Sequence, residues 1–434
     1  MAMDAVEFTE SFNTARACMG AGRLPEALSI LNRLVDAAPE HVEVRNALAV
    51  LALSANDLRT ARQHVQAALN SAPQDPLTLN QLANIQEAEG DGAAALASYR
   101  RLLTAQPALF AARLSCARLL EQGGDLNAAV LHYARAIDDA QRQGRWISES
   151  STPPAMRAAV VHALSMVREH KRSLCDQILS GIVARHGQAD MDRVIGFALI
   201  QLGEAVYDAP DKRQHPTRFP VPGLAQSPYI DKTRIRGVDQ LEAQAAQIRA
   251  ELLAVMSDPT GREPVFGDPA LAQAFLANQT GPSRWDGYYF YRHGQRNENN
   301  AAACPVTAAA IDQLPLSRVT GHGPEVLFSI LGPGTHLLPH YGVTNARLVG
   351  HLPLIVPANC ALNVAGIEHA WKEGEVVVFD DTYSHEAWNR SDQIRVVMIF
   401  DLWHPDLSEV EIQALRELQE VLGGFSTRSS SLEF

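Results

Sequence analysis

Four alanines, Ala27, Ala61, Ala95 and Ala129, recur every 34 residues, and Pro39, Pro73 and Pro107 keep the same phase. A unit of that length cannot enclose a core of its own. Each must therefore bury its apolar face on its neighbours, which restricts the first third of the chain to a stacked solenoid. Five residues before each alanine stand Gly22, Asn56, Gly90 and Gly124, residue types that accept the left-handed backbone needed between two helices. With a small residue where helices approach and a proline after the second helix, each unit reads as a helix hairpin. About four repeats fit residues 8–141, the last with Gln141 where proline is expected, as suits a terminal unit.

In period and placement these hairpins resemble the tetratricopeptide repeat. The resemblance implies a concave surface, which serves either as a scaffold or as a groove for a peptide or protein partner. Residues 155–205 keep apolar residues at helical spacing but lose the 34-residue phase, and they read as a helical connector. Proline and glycine then cluster in QHPTRFPVPGLAQSP, residues 214–228, which marks a new domain. The expected organisation is a solenoid over 1–145, a connector over 146–213, a second domain over 214–424 and a frayed tail over 425–434.

Composition narrows the function. At 434 residues there is room for roughly two or three separate cores, and 46% hydrophobic with 20% charged residues is ordinary globular composition. A net charge of −12 opposes the phosphate attraction on which most nucleic-acid binders depend, so neither nucleic acid nor an anionic membrane is expected as a partner. The five cysteines, Cys18, Cys116, Cys175, Cys304 and Cys360, are scattered and form no CxxC pair. The start, MAMDAVEFTE, lacks the basic and apolar pattern of a signal peptide, and no stretch reaches the ~20 apolar residues of a membrane span. A cytoplasmic location is the expectation.

From about 325 onward the pattern turns to short β-rich runs, EVLFSIL, ARLVGHLPLIV, CALNV, EVVVF and IRVVMIFDL, broken by glycine, proline, asparagine and aspartate. They predict a compact antiparallel β domain, closed by a helix with Ser408 and Glu411 spaced as a capping box. His336, His340, His351 and His385 concentrate in this region, which invites a metal. The HExxH, EF-hand, Walker A and GxSxG signatures are absent from the sequence.

The strings FSILGPGTHLLPHYGVTNARL, WKEGEVVVFDDTYSHEAWN and RVVMIFDLWHP, with SPYIDKTR and CPVT ahead of them, resemble the aspartyl/asparaginyl β-hydroxylase family of iron- and 2-oxoglutarate-dependent oxygenases over about 216–412. The resemblance implies an α+β multidomain chain, an all-α tetratricopeptide solenoid followed by a double-stranded β-helix of the jelly-roll or cupin kind. It implies that His340 and His385 ligate Fe(II), with 2-oxoglutarate and O2 as cosubstrates, and that Arg395 meets the far carboxylate of 2-oxoglutarate, with Ser329 assisting and His351 nearby. A lone guanidinium on an apolar strand independently asks for a buried anion; the other reading of Arg395 is an ion pair with an acid of its own domain. Wider oxygenases place a carboxylate two residues after the first histidine. Here that residue is Gly342, as the family commonly has it, and a water is expected to fill the vacant position with Asp381, four residues before His385, holding it. Asp380 reads as a turn residue, and His336, Asn345, Trp371 and Trp388 as packing and turn chemistry.

One departure bears on substrate. The resemblance places Arg347 and the residue two further on near the substrate, and where the family usually has a second arginine this chain has Val349. If that arginine meets a substrate carboxylate, its loss removes a contact worth ~1.5–3 kcal/mol. The leading expectation is a hydroxylase acting on the β-carbon of an Asp/Asn-type residue in a protein or peptide presented by the repeats. The alternatives are a hydroxylase of a small molecule, amino acid or lipid, and a non-catalytic adaptor.

Overall fold

The computed structural model describes residues 4–187, 191–257, 261–278 and 282–425. They divide into two compact units, one running to His170 and the other from Lys171 to Gly424.

The first unit contains four helix hairpins: α1 (Ala5–Gly20) with α2 (Leu24–Ala37), α3 (Val42–Ser54) with α4 (Leu58–Ser71), α5 (Pro76–Ala88) with α6 (Gly92–Ala105), and α7 (Phe110–Gln122) with α8 (Leu126–Arg142). Each 34-residue alanine is fully buried. The turns need positive φ, and Gly22, Asn56, Gly90 and Gly124 supply it at 73°, 56°, 82° and 84°. The second helix of each later repeat starts on an aspartate in the same phase: Asp57, Asp91 and Asp125 each accept a bond from a backbone N–H of the first turn. Arg23, at that place in the first repeat, makes no such bond.

The expected connector does not stand as a segment of its own. Its helices are α9 (Arg157–His186) and α10 (Asp192–Gln201), and the division between units falls inside α9. In the second unit Cys175, Ile182, Val194 and Phe197 pack with Phe219, Val221, Leu415 and Leu418, and Arg193 pairs with Glu411 at 3.1 Å. The loss of the 34-residue phase is thus explained by a different partner, the C-terminal helix Glu409–Gly423, whose Ser408–Glu411 capping box is formed. Within the expected tail, residues 426–434 lie outside the described residues.

The strands of the second unit are β1 (Tyr229–Ile230), β2 (Arg262–Pro264), β3 (Leu276–Asn278), β4 (Trp285–Arg292), β5 (Gln295–Arg296), β6 (Val326–Leu331), β7 (Thr335–His340), β8 (Arg347–Ile355), β9 (Cys360–Val364), β10 (Ile367–His369), β11 (Val377–Phe379), β12 (His385–Asn389) and β13 (Arg395–Trp403). Their ladders are antiparallel. From β6 onward the chain winds between two sheets, ordered β11-β8-β13-β6 and β10-β9-β12-β7, with β1, β4, β2 and β5 extending the first and β3 the second. That winding is the double-stranded β-helix of a jelly roll.

Alternation along the strands sorts the side chains. On β13, Val396, Met398 and Phe400 join a core with Ile248, Leu252 and Ile311 from helices Ala245–Met256 and Pro305–Ile311. Arg395, Ile399 and Asp401, on the opposite face, line the cleft between the two sheets, with Val349 and His351 of β8 beside them. Among the described residues, no helix is long and apolar enough to cross a membrane.

Candidate active site

The antiparallel register of β7 and β12 places His340 directly opposite His385. Their ring centroids are 4.0 Å apart, with the planes tilted by 52°. His340 Nδ1 lies 2.8 Å from the Leu338 carbonyl oxygen, and His385 Nδ1 lies 3.1 Å from that of Tyr383. A carbonyl oxygen only accepts, so each Nδ1 carries the hydrogen and each Nε2 keeps a lone pair. Burial lowers the pKa of both rings, that of His385 well below the ordinary value. Two neutral imidazoles with backbone-fixed tautomers are the donors a first-row divalent metal takes. No group of three or more His, Cys, Asp or Glu suited to one metal ion occurs among the described residues.

Gly342 makes room for the neighbouring carboxyl. A Cβ on it would stand 2.1 Å from both Cγ and Oδ1 of Asp381, a separation no real contact shows, while its N–H donates to the Asp381 carbonyl at 2.7 Å. The space a side chain at 342 would use is held by Asp381. Asp381 Oδ2 accepts from Arg347 Nη2 at 3.2 Å, and Oδ1, buried, has no partner among the described residues. Burial pushes this carboxyl up to about 7 against the pull of Arg347. A buried carboxyl oxygen without a partner, beside two free imidazole lone pairs, fits a metal-bound water. Asp380 turns the other way, accepting from Gln214 Nε2 at 2.6 Å and from the Thr382 N–H at 2.9 Å.

At the other end of the cleft Arg395 is 3% exposed. Its Nη1 donates to Ser329 Oγ at 3.5 Å, a long contact, and its guanidinium lies over the Trp371 ring at 4.8 Å. No carboxylate pairs with it among the described residues, so the expected alternative, an ion pair within the domain, is not formed. Burial lowers its pKa to about 10. Ser329 Oγ also accepts from Trp285 Nε1 at 2.8 Å, which leaves the hydroxyl proton free to donate. His351, 5% exposed, has an Nδ1 without a partner among the described residues; burial, then the Arg395 charge, holds its pKa well below the ordinary value. A buried cation without a counter-ion costs several kcal/mol, and the cluster has the donors to meet an anionic ligand.

His340, His385, Asp381, Arg395, Ser329, His351 and Val349 all line one cleft, which encloses about 630 Å³, part of it continuous with solvent. Arg347 does not line it. It sits at one end of the same face of β8 as Val349 and His351, buried and bonded to Asp381 and, at 3.4 Å, to Asp401, so its guanidinium is taken up by two acids of the cleft. Trp285 and Trp371 were not read as site residues. The signal for Trp371 was its place in a family-like string, whereas Trp285 sits in RWDGYYFYR, upstream of the region read as strands.

Residues 242–405 match the family model described as Aspartyl/Asparaginyl beta-hydroxylase, and residues 19–85 match one described as Tetratricopeptide repeat. The Homo sapiens aspartyl/asparaginyl beta-hydroxylase is 34% identical over a stretch covering 41% of this chain and 22% of that protein. The Rhizobium tropici ornithine lipid ester-linked acyl 2-hydroxylase is 34% identical over 42% of this chain and 62% of its own length. The chain thus spans less than two thirds of either relative. Among solved structures, that of MamA is similar at 16% identity, with a TM-score of 0.30, over 32% of this chain and 80% of MamA. The two facing histidines on the jelly roll and the neighbouring glycine lie within the stretch, residues 242–405, that is similar to the aspartyl/asparaginyl β-hydroxylase family, and the hairpins ahead of it are similar to the tetratricopeptide repeat over residues 19–85.

Proposed function

We propose that the chain is an Fe(II)- and 2-oxoglutarate-dependent dioxygenase that hydroxylates an unactivated C–H bond of a protein or peptide presented by the repeats. The observation that carries this reading is the convergence, in one cleft, of two free imidazole nitrogens and a buried guanidinium with no counter-ion. His340 and His385 would hold the metal through Nε2, and Asp381 Oδ1 would accept a hydrogen bond from water on it. Bound iron supplies the oxidant: O2 and 2-oxoglutarate give succinate and CO2, one oxygen entering succinate and the other converting substrate C–H to C–OH. Arg395 neutralises the far carboxylate of 2-oxoglutarate, and the Ser329 hydroxyl, held by Trp285, donates its own proton to it. Neutral His351 stands beside them, and apolar side chains from both sheets exclude water from the reacting carbon.

The relatives' names divide on substrate, aspartyl or asparaginyl residues in one and an ester-linked acyl chain in the other. Tetratricopeptide repeats commonly bind peptides and proteins, which favours a peptide here. A cytoplasmic setting, expected from the sequence, remains part of this proposal.

Anaerobic titration with Fe(II) and 2-oxoglutarate tests the reading. A visible charge-transfer band is expected in wild type and lost in His385→Ala and Arg395→Ala. A wild-type protein that binds iron and 2-oxoglutarate without the band, or binds neither, overturns it.

A further inference from the structure

The cleft's supply of charge limits what can react in it. Arg395 is the one arginine among the described lining residues, lysine does not occur there, and three carboxyls, Glu325, Asp381 and Asp401, share the wall. Glu325 lies 2.9 Å from His293, and Asp381 and Asp401 share the single guanidinium of Arg347, so these neighbours supply no spare cation. If Arg395 serves the cosubstrate, no cation remains for a second carboxylate. Val349 stands where one would be supplied. It lies between Arg347 and His351 on the same face of β8, opposite Asp401 on β13 and Phe379 on β11. Around it the cleft is aliphatic and aromatic, with Leu362, Phe379 and Ile399 on the walls. At the metal end the Phe275 ring stands edge-on to His340 at 6.0 Å. A substrate carboxylate there would lose its water, meet apolar surface and face the carboxyls, whereas an apolar group would lose nothing.

We infer that Val349 sets the specificity of the site, selecting an uncharged, apolar side chain at the hydroxylated residue and turning away an aspartyl carboxylate. This rests on the dioxygenase reading and narrows its substrate. The repeats on the same chain favour a peptide as the source of that group.

The test is calorimetric titration of the full chain, loaded with Zn(II) and an inert 2-oxoglutarate analogue. The probes are the capped tripeptides acetyl-Gly-Xaa-Gly-amide, with Xaa Asp, Asn or Leu, and an octanoyl-glycine amide. The leucyl peptide is expected to bind most tightly and the aspartyl peptide least. Val349→Arg should tighten the aspartyl peptide by roughly 10- to 100-fold. Since an arginine there enters a buried face, Val349→Gln, expected to improve the asparaginyl peptide, is the second variant. An aspartyl peptide bound by wild type as tightly as the leucyl one, including no measurable binding of either, overturns the inference. So does tightest binding of the octanoyl probe, which would move the substrate to acyl chains. A protein that fails to take up Zn(II) and the analogue fails the dioxygenase reading before any peptide is added.

Discussion

The two units differ in how they treat buried charge. In the repeats, buried charge finds an opposite charge: Arg113 pairs with Asp139 at 3.5 Å, joining α7 to its hairpin partner α8, and aspartates in phase cap their own helices, although Gln81 Oε1, Glu87 Oε1, Arg113 Nε and His132 Nδ1 lack a hydrogen-bond partner among the described residues. In the jelly roll, Arg395 lies in the interior without a carboxylate, and Asp381 Oδ1 and His351 Nδ1 have no partner among the described residues. The first pattern optimises stacking. The second leaves polar capacity unused in the interior, which an anionic ligand would take up.

The largest effect should come from removing the uncompensated cation. Arg395→Met keeps the length and apolar stem of the side chain, so 2-oxoglutarate affinity should fall by about 100-fold, while the ligand-free protein becomes more stable by about 1 kcal/mol or more. Calorimetry and thermal unfolding check the two halves. A variant that loses affinity and stability together would break the contrast, making Arg395 structural.

Asp380 sharpens the contrast through pH. Burial raises its pKa to about 6 from an ordinary 3.8, so between those values the folded state holds a proton that the unfolded state has released. Its effect is to lower stability as pH rises through that window, by up to about 3 kcal/mol. Asp380→Asn should flatten that part of the unfolding profile, and an unchanged slope would show that the group is ionised throughout.

In the repeats, Ala95→Leu should destabilise by about 1–3 kcal/mol through overpacking at a fully buried helix crossing, leaving the affinity for 2-oxoglutarate at its wild-type value. A loss of that affinity would show the two units to be energetically joined. Smallest of all, Asp91→Ala should cost ~1 kcal/mol by uncapping α6, read as a lower denaturation midpoint.

The same contrast decides what the sequence made legible. The solenoid is local, so Ala27 to Ala129 and their turn residues carry the hairpins in the spacing alone. Strands β6, β8, β9, β11 and β13 were readable because their runs are apolar. β7 and β12 were not: THLLPH and HEAWN turn histidines toward the cleft and pair them across strands, so polar residues occupy inward positions and the alternation is disguised. Their histidines drew attention; their being strands did not. The environment of Arg347 is illegible for a different reason. Its partners Asp381 and Asp401 are 34 and 54 residues away, and only the fold shows that they claim it. The boundary inside α9 was hidden likewise, because apolar spacing says that a helix is covered but not by what.

Gly342 also limits how such a site can change over generations. With a Cβ at 342 only 2.1 Å from the carboxyl of Asp381, a single mutation to aspartate would not add a third ligand; it would collide with the residue already there. Moving between a two-histidine centre and a three-ligand one takes two coordinated replacements, at 342 and at 381, and each alone passes through an overcrowded or an emptied intermediate. If the site holds a metal, the two designs would be neighbours in geometry and two substitutions apart in sequence.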